Sequence, residues 1–220
     1  MNQTLIHWEQ KEQIGFFRTF WETLKLSMLE PSRFFEAVPS VGGYGKPLVY
    51  GMICMSLGVI FSTLYQIFFQ GLGTLIQYAA HLPVKEAMMG TGFSIMVGVG
   101  IVIASPVSSI VSLFVFSGIN HLFLMMFGSG RKGFETTFRA YAYSQGPQIL
   151  QIIPIFGSIA TLVWHYTILV IGYKKLQAAS TAQALGAALL PLVLICGLTM
   201  FVIGVVAMLI IMFAASMAHH

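Results

Sequence analysis

The chain has 220 residues, of which 57% are hydrophobic and only 8% are charged, and its formal net charge is +4 at pH 7. Soluble domains carry about 25% charged residues, so this composition excludes an ordinary soluble domain. Beyond residue 46 the charged side chains form three clusters: Lys85 and Glu86; Arg131, Lys132, Glu135 and Arg139; and Lys174 and Lys175. Because a charge at the bilayer centre costs at least ~2.5–3.5 kcal/mol, the long uncharged runs between the clusters are predicted to lie in a membrane. The excess positive charge is then loop charge, and it does not indicate a nucleic-acid partner.

Residues 1–46 are predicted to form a cytosolic and interfacial arm, because their basic and acidic residues balance and no secretory signal peptide is visible. Apolar side chains recur at helical spacing over residues 14–38, with an interruption at Glu30-Pro31, which indicates amphipathic helices at the membrane interface. The predicted interfacial anchors are Phe16, Phe17, Phe20, Trp21, Phe34 and Phe35. Two interpretations stay open: an anchor that caps the membrane bundle, and an arm that senses lipid or a partner.

The number of membrane spans follows from loop charge. The positive-inside rule places both basic clusters in the cytosol and the neutral Lys85–Glu86 pair outside. Two crossings are then needed between Arg139 and Lys174, and Pro147 and Pro154 supply the helix break. The sequence therefore predicts an all-α membrane protein whose residues 47–220 form five transmembrane helices, with a cytosolic N-terminus and the C-terminus outside. The predicted spans are about 48–70, 104–127, 135–152, 155–173 and 187–215.

The uncharged run 87–130 is too long for one straight span of about 20 residues. Pro106 and neighbouring glycines interrupt it, so we predict a kinked span over 104–127, preceded by a stretch at the outer interface. Ser180-Thr181-Ala182-Gln183 matches a capping box and predicts that the last helix begins near Thr181. No role is assigned to the terminal His219–His220 pair.

Polar side chains within the predicted spans are the candidate ligand path, because such groups are expensive in lipid unless they are paired. The candidates are Asn120, His121, Tyr143, Gln145, Gln148, Gln151 and His165. Gln145 and Gln148 are three residues apart and can share one helix face, as can Gln148 and Gln151. A ligand or ion path and hydrogen bonding between helices both remain open. For the two histidines, a buried neutral ring and a proton-relay role also remain open.

Catalytic, cofactor and metal sites are not expected. The sequence contains no His-Glu-x-x-His, Gly-x-Ser-x-Gly or phosphate-loop motif. Two histidines without an embedded acidic residue fall short of a usual metal-ligand set. Cys54 and Cys196 lie in apolar runs and are interpreted as packing residues. We therefore predict a protein that is not an enzyme.

The order and spacing of several short motifs resemble the Yip family, membrane proteins named for interaction with Ypt/Rab GTPases, and specifically its prokaryotic branch. The matching residues are Asn120-His121-Leu122, Gly128-Ser129-Gly130, Phe134, Tyr141-Ala142-Tyr143-Ser144, Pro147, Ile153-Pro154-Ile155-Phe156-Gly157, Trp164, Gly172 and Ser180-Thr181-Ala182-Gln183-Ala184. Glu30-Pro31-Ser32-Arg33-Phe34-Phe35 resembles the entry segment of the family.

This resemblance implies five transmembrane helices and a cytosolic N-terminus, in agreement with the loop charge. Eukaryotic relatives carry an Asp-Leu-Tyr-Gly-Pro motif and act in vesicle traffic with prenylated GTPases. Here only Gly43-Tyr44-Gly45-Lys46-Pro47 is similar to that motif, and its Asp and Leu are missing. The resemblance therefore does not extend to GTPase binding.

Two functions are considered. The first is a non-enzymatic module of the prokaryotic cytoplasmic membrane that binds lipid or partner proteins, or copies of itself, in a role like membrane organisation or trafficking. The alternative is a small transporter or channel whose polar path is lined by the second to fourth helices.

Overall fold

A computed structural model of the chain describes residue 8 and residues 15–218; residues 1–7 and 9–14 of the predicted arm and the terminal histidine pair lie outside the described residues. Every regular element in this part of the chain is a helix. The α-helices are α1 (Phe16–Leu29), α2 (Pro31–Ala37), α3 (Gly45–Ala79), α4 (Lys85–Met126), α5 (Phe134–Tyr143), α6 (Gly157–Leu176) and α7 (Thr181–Ala218). A 3₁₀ helix, Gly146–Ile152, lies between α5 and α6. The all-α fold is as predicted.

Three of the described helices are long and apolar enough to cross a membrane: α3, α4 and the Thr181–Met212 part of α7. The prediction of five such helices is wrong in number. Helix α5 has ten residues, about 15 Å at ~1.5 Å per residue, against a hydrocarbon core of about 30 Å. Helix α6 has 20 residues, but polar side chains at its middle, around His165, and two terminal lysines make it less apolar.

Helices α3 and α4 form a long antiparallel hairpin. Helix α4 is continuous for 42 residues with Pro106 inside it, so the predicted span 104–127 is part of a longer helix and Pro106 does not end that helix. The Ser105 hydroxyl donates to the Val102 carbonyl at 2.8 Å, one of the local side-chain bonds that allow a proline within an apolar helix. The Thr74 and Thr91 hydroxyls hydrogen bond across the hairpin at 2.8 Å. The residues predicted to lie at the outer interface are therefore the paired, mostly exposed end of this hairpin.

The chain between α5 and α6 changes helix type instead of continuing as one span. Helix α5 ends at Tyr143, and the 3₁₀ helix begins with Gly146 and Pro147. Proline has no N–H to donate and is tolerated in the first turn of a helix. The predicted break at Pro147 is therefore present, but it divides the predicted 135–152 span into two short helices of different pitch.

Helices α1 and α2 pack against the bundle through aromatic side chains. Phe34 and Phe35 are 0% and 1% exposed, so they are core residues and their prediction as interfacial anchors is wrong. The physical reason is that α2 packs against α6, and that the Phe34 ring meets Tyr143 of α5 at 5.4 Å between centroids. Among the other predicted anchors, Phe17 is 84% exposed, Phe16 and Trp21 are about half exposed, and Phe20 is half-buried.

The capping box at the start of α7 is confirmed. The Ser180 N–H donates to Gln183 Oε1 at 2.9 Å, and the Gln183 N–H donates to Ser180 Oγ at 3.3 Å. These reciprocal bonds satisfy backbone donors that lack partners inside the helix. The Gln183 amide also donates to the Phe127 carbonyl at 2.6 Å, which ties the start of α7 to the end of α4.

Removing the cap is expected to have a small, measurable effect. Ser180→Ala should lower the free energy of unfolding by ~1 kcal/mol, the usual effect of losing a capping hydroxyl. For a chain of this size that corresponds to about 2–4 °C in melting temperature, measured by tryptophan fluorescence in detergent. Thr181→Ala, at the next exposed position, should stay within about 0.5 kcal/mol of the parent protein. Equal shifts for the two variants would contradict a specific capping role.

Candidate functional site

A cavity of about 410 Å³ lies among helices α3 to α7. Its volume is in the range of about 300–1,000 Å³ typical of small-molecule sites. The lining residues are Met55, Phe116, Asn120, Tyr141, Gln145, Gln148, Gln151, Ser158, Thr161, Leu162, His165, Tyr166, Ala188, Pro191, Leu192 and Ile195. None of these lining residues is charged. The cavity therefore combines neutral hydrogen-bonding groups with apolar side chains, and the lining residues that α7 contributes are all apolar.

Gln145, Gln148 and Gln151 form a glutamine stripe at the cavity because of the geometry of the 3₁₀ helix. A 3₁₀ helix has three residues per turn, so side chains at i and i+3 lie in line; Gln148 and Gln151 belong to this helix, and Gln145 immediately precedes it. Gln145 Nε2 donates to the Tyr141 carbonyl at 3.2 Å, and Gln148 Nε2 donates to Gln145 Oε1 at 3.4 Å. All three predicted glutamines therefore line the cavity, and a hydrogen bond joins Gln145 to Gln148.

The 3₁₀ helix is held close to α3 at two points. Gly58 on α3 lies so near Gln148 that a Cβ atom there would be 2.8 Å from Gln148 Oε1. The Tyr65 hydroxyl of α3 donates to the carbonyl of Ile152, the last residue of the 3₁₀ helix. The small size of Gly58 and the hydrogen bond from Tyr65 to the end of the 3₁₀ helix fix the position of the glutamine stripe against the bundle.

His165 projects from α6 into the same region with a defined tautomer. Its Nδ1 lies 3.0 Å from the Ser144 carbonyl oxygen, and because a carbonyl only accepts, Nδ1 carries the proton. In the neutral ring Nε2 is then an acceptor, and Nε2 has no hydrogen-bond partner among the described residues. The ring is 8% exposed and packs edge-on to Tyr141 and Tyr166.

Asn120 contributes a second acceptor from α4. Its Nδ2 donates to the Phe116 carbonyl at 2.7 Å, which fixes the amide orientation. The side chain is 4% exposed, and its Oδ1 has no hydrogen-bond partner within the described part of the chain. Buried polar atoms are normally paired, so this oxygen, on a residue that lines the cavity, is an acceptor without a donor.

A family model for the Yip1 domain matches residues 25–203. The chain belongs to the Yip1 family. The match covers all the residues that line the cavity, and it agrees with the resemblance found in the sequence at the level of the family. No curated protein and no solved structure matches the chain.

Two predicted path residues of this Yip1-family protein lie elsewhere. His121 is adjacent to Asn120 and points about 100° away on the helix; its Nδ1 bonds the Thr137 hydroxyl at 2.8 Å. Tyr143 is fully buried between Phe34 and Tyr50, and it lies two residues beyond the cavity-lining Tyr141. The prediction that His121 and Tyr143 belong to the path is therefore wrong.

The apolar wall of the cavity in this Yip1-family protein was not predicted. It includes Met55, Phe116, Leu162, Leu192 and Ile195. Apolar residues occur throughout every membrane span, so the sequence does not distinguish those that line a ligand cavity from those that face lipid. Thr161, whose hydroxyl donates to the Pro147 carbonyl at 3.0 Å, is a polar lining residue that a search for hydroxyls on predicted helices could have found.

A second cluster joins α5 of the Yip1-family protein to the segment that precedes α3, residues 39–43. Glu135 Oε1 accepts hydrogen bonds from the N–H groups of Gly42 and Gly43, both at 2.7 Å. Arg139 is fully buried, and it donates through Nε to the Pro39 carbonyl and through Nη1 to the Gly43 carbonyl, both at 2.8 Å. These two charges were predicted to be part of a loop. They lie within α5 and hold the N-terminal arm to the bundle.

Proposed function

We propose that this Yip1-family protein is a non-enzymatic membrane module that binds a membrane lipid in the uncharged cavity. The observation that carries the proposal is the division of the cavity lining into polar groups, among them the glutamine stripe and Asn120, and apolar side chains, among them Leu162, Leu192 and Ile195. A lipid has the same division into a polar end and an apolar chain. A site with several neutral hydrogen-bonding groups and an apolar wall is the usual form of a small-molecule pocket.

The cavity has an apolar route to the bilayer. Leu162 on α6 and Ile195 on α7 line the cavity and are also 49% and 44% exposed. From Val193 to Met212 every residue of α7 is exposed and almost all are apolar. In a membrane this surface faces lipid, so an acyl chain can extend from the cavity between α6 and α7 into the bilayer.

The loop charges support a topology for the binding module. We place the N-terminus in the cytosol and the C-terminus outside, in the cytoplasmic membrane of a prokaryote, with the chain in the prokaryotic branch of the family. The exposed rings of Phe17 and Trp21 are available to the interface or to a protein partner.

A transporter or channel would need a polar path through the whole bundle. One turn beyond the cavity, toward the 131–139 cluster, the interior is filled by the fully buried Leu124, Phe138, Ile168 and Tyr173. This packing closes the inner half of the bundle. It supports a binding pocket that ends within the membrane over a path that crosses it.

Filling the cavity is expected to remove bound lipid. Leu192→Trp places a larger side chain on the α7 wall, and it should reduce lipid retained by the full chain in detergent about tenfold, measured by native mass spectrometry. A tenfold change corresponds to about 1.4 kcal/mol of binding free energy, which is a modest loss for a ligand displaced by a larger side chain.

The matched control is Leu198→Trp on the same helix. Leu198 is 65% exposed and does not line the cavity, so this variant should retain lipid like the parent protein. A parent protein that carries no lipid, or equal retention in the parent and both variants, would count against the proposal.

A further inference from the structure

We infer that the lipid in the cavity is uncharged and presents a hydroxyl group as a hydrogen-bond donor at its polar end. This inference rests on the lipid-binding function proposed above and adds the chemical class of the ligand. Two observations carry it: the absence of charge among the lining residues, and two acceptors without a donor among the described residues, the buried Oδ1 of Asn120 and the Nε2 of His165.

The lining excludes an ionised headgroup from the polar end of the cavity. A phosphate or carboxylate taken out of water needs a cation or several strong donors. The cavity has no lysine or arginine in its wall. Arg139, the buried cation of α5, donates through Nε and Nη1 to the carbonyls of Pro39 and Gly43. A neutral polar group is the ligand chemistry that this environment accepts.

Two of the unpaired groups on the lining residues are acceptors. Asn120 Nδ2 is already bonded to the Phe116 carbonyl, so Asn120 Oδ1 is the free end of the amide. His165 Nδ1 is already bonded to the Ser144 carbonyl, so the neutral ring offers Nε2 as an acceptor. Because an acceptor is satisfied only by a donor, a ligand ester or ether oxygen cannot meet either of these two groups. A hydroxyl can.

A hydroxyl-bearing neutral lipid also fits the rest of the cavity. The glutamine stripe supplies polar side chains beside the two acceptors, while Leu162, Leu192 and Ile195 provide the wall for a hydrocarbon chain. The chemical class is therefore a diacylglycerol, a monoacylglycerol or a long-chain alcohol.

The test compares two probes that differ only in the donor: dioleoylglycerol, and the same lipid with its hydroxyl converted to a methyl ether. Each is titrated onto the delipidated full chain in detergent, and the bound fraction is read by native mass spectrometry. Dioleoylphosphatidylglycerol is the anionic probe. We expect dioleoylglycerol to bind about tenfold more tightly than the ether, and the anionic lipid to bind no better than the ether.

The variant Asn120→Leu removes the orphan acceptor while keeping a side chain of similar size. It should lower dioleoylglycerol binding to the level of the ether and leave ether binding unchanged. Ser117→Ala is the matched control, because the Ser117 hydroxyl is also buried without a partner on α4 but does not line the cavity. This control should keep the preference for the hydroxyl.

The outcomes distinguish the inference about the ligand class from the proposed lipid-binding function. Equal binding of dioleoylglycerol and its ether overturns the donor inference, since water then satisfies Asn120, and leaves lipid binding in place. Preferential binding of dioleoylphosphatidylglycerol overturns the uncharged class and also leaves lipid binding in place. Failure of every probe to bind overturns the proposed function itself. A hydroxyl preference that is lost in Asn120→Leu and kept in Ser117→Ala supports the inference.

Discussion

Replacing Arg139 by alanine is expected to lower the free energy of unfolding by about 3 kcal/mol or more. The side chain is fully buried, and its guanidinium bonds the Pro39 and Gly43 carbonyls at 2.8 Å each. Hydrogen bonds that involve a charged group contribute about 1.5–3 kcal/mol each, and carbonyls left unpaired in the interior add to the loss. At about 2–4 °C per kcal/mol for a chain of this size, the melting temperature in detergent should fall by at least about 6 °C.

Two further variants make the Arg139 prediction specific. Arg139→Lys keeps the positive charge, but its single ammonium group cannot bond both carbonyls as the guanidinium does. It should therefore lose roughly half as much stability as Arg139→Ala. Arg131→Ala removes an exposed charge from the neighbouring loop and should change the unfolding free energy by less than about 0.5 kcal/mol. If Arg139→Ala melted within 2 °C of Arg131→Ala, the proposed attachment of residues 39–43 to α5 would be wrong.

Replacing Gly157 by alanine is expected to destabilise the protein by about 2–3 kcal/mol and to reduce lipid retention as well. A Cβ atom at this first residue of α6 would lie 2.4 Å from the Leu150 carbonyl oxygen and 3.0 Å from Gln151 Cα. Both obstacles are backbone atoms, so the strain cannot be relieved by a rotamer change, and overpacking of this kind costs about 1–3 kcal/mol. The 3₁₀ helix would have to move, and with it the glutamine stripe at the cavity.

The control for Gly157 lies in α7. A Cβ atom at Gly197 would meet no other heavy atom within 4 Å, and alanine in a helix interior is favoured over glycine by roughly 0.5–1 kcal/mol. Gly197→Ala should therefore leave both the melting temperature and the lipid retained at or above the values of the parent protein. Joint loss of stability and lipid in Gly157→Ala, with neither lost in Gly197→Ala, is the expected pattern. Full lipid retention in Gly157→Ala would contradict the role of the 3₁₀ helix at the site.

The candidate site was predictable in part. Asn120, His165 and the three glutamines were recognised because polar side chains are conspicuous in apolar runs, and the structure brings all five to one cavity. His121 was wrongly included because adjacent helical residues diverge by about 100°, and sequence alone does not show which of the two faces the neighbours. Phe34 and Phe35 were wrongly assigned to the interface, because an aromatic residue suits the membrane surface and a protein core equally well.

The amino-acid sequence by itself determined the membrane class, the all-α fold, the cap at Ser180 and the break at Pro147. Each of these depends on local chemistry: the cost of charge in lipid, a hydroxyl beside free N–H groups, and a residue without a backbone donor. Only the tertiary structure decided that the break becomes a 3₁₀ helix, that Arg139 is buried on the 39–43 backbone, and that apolar side chains of α6 and α7 line the same cavity as the glutamine stripe. Those features depend on which surfaces of distant helices meet. The identity of an apolar residue in a membrane protein does not indicate whether its side chain contacts lipid, protein or a ligand.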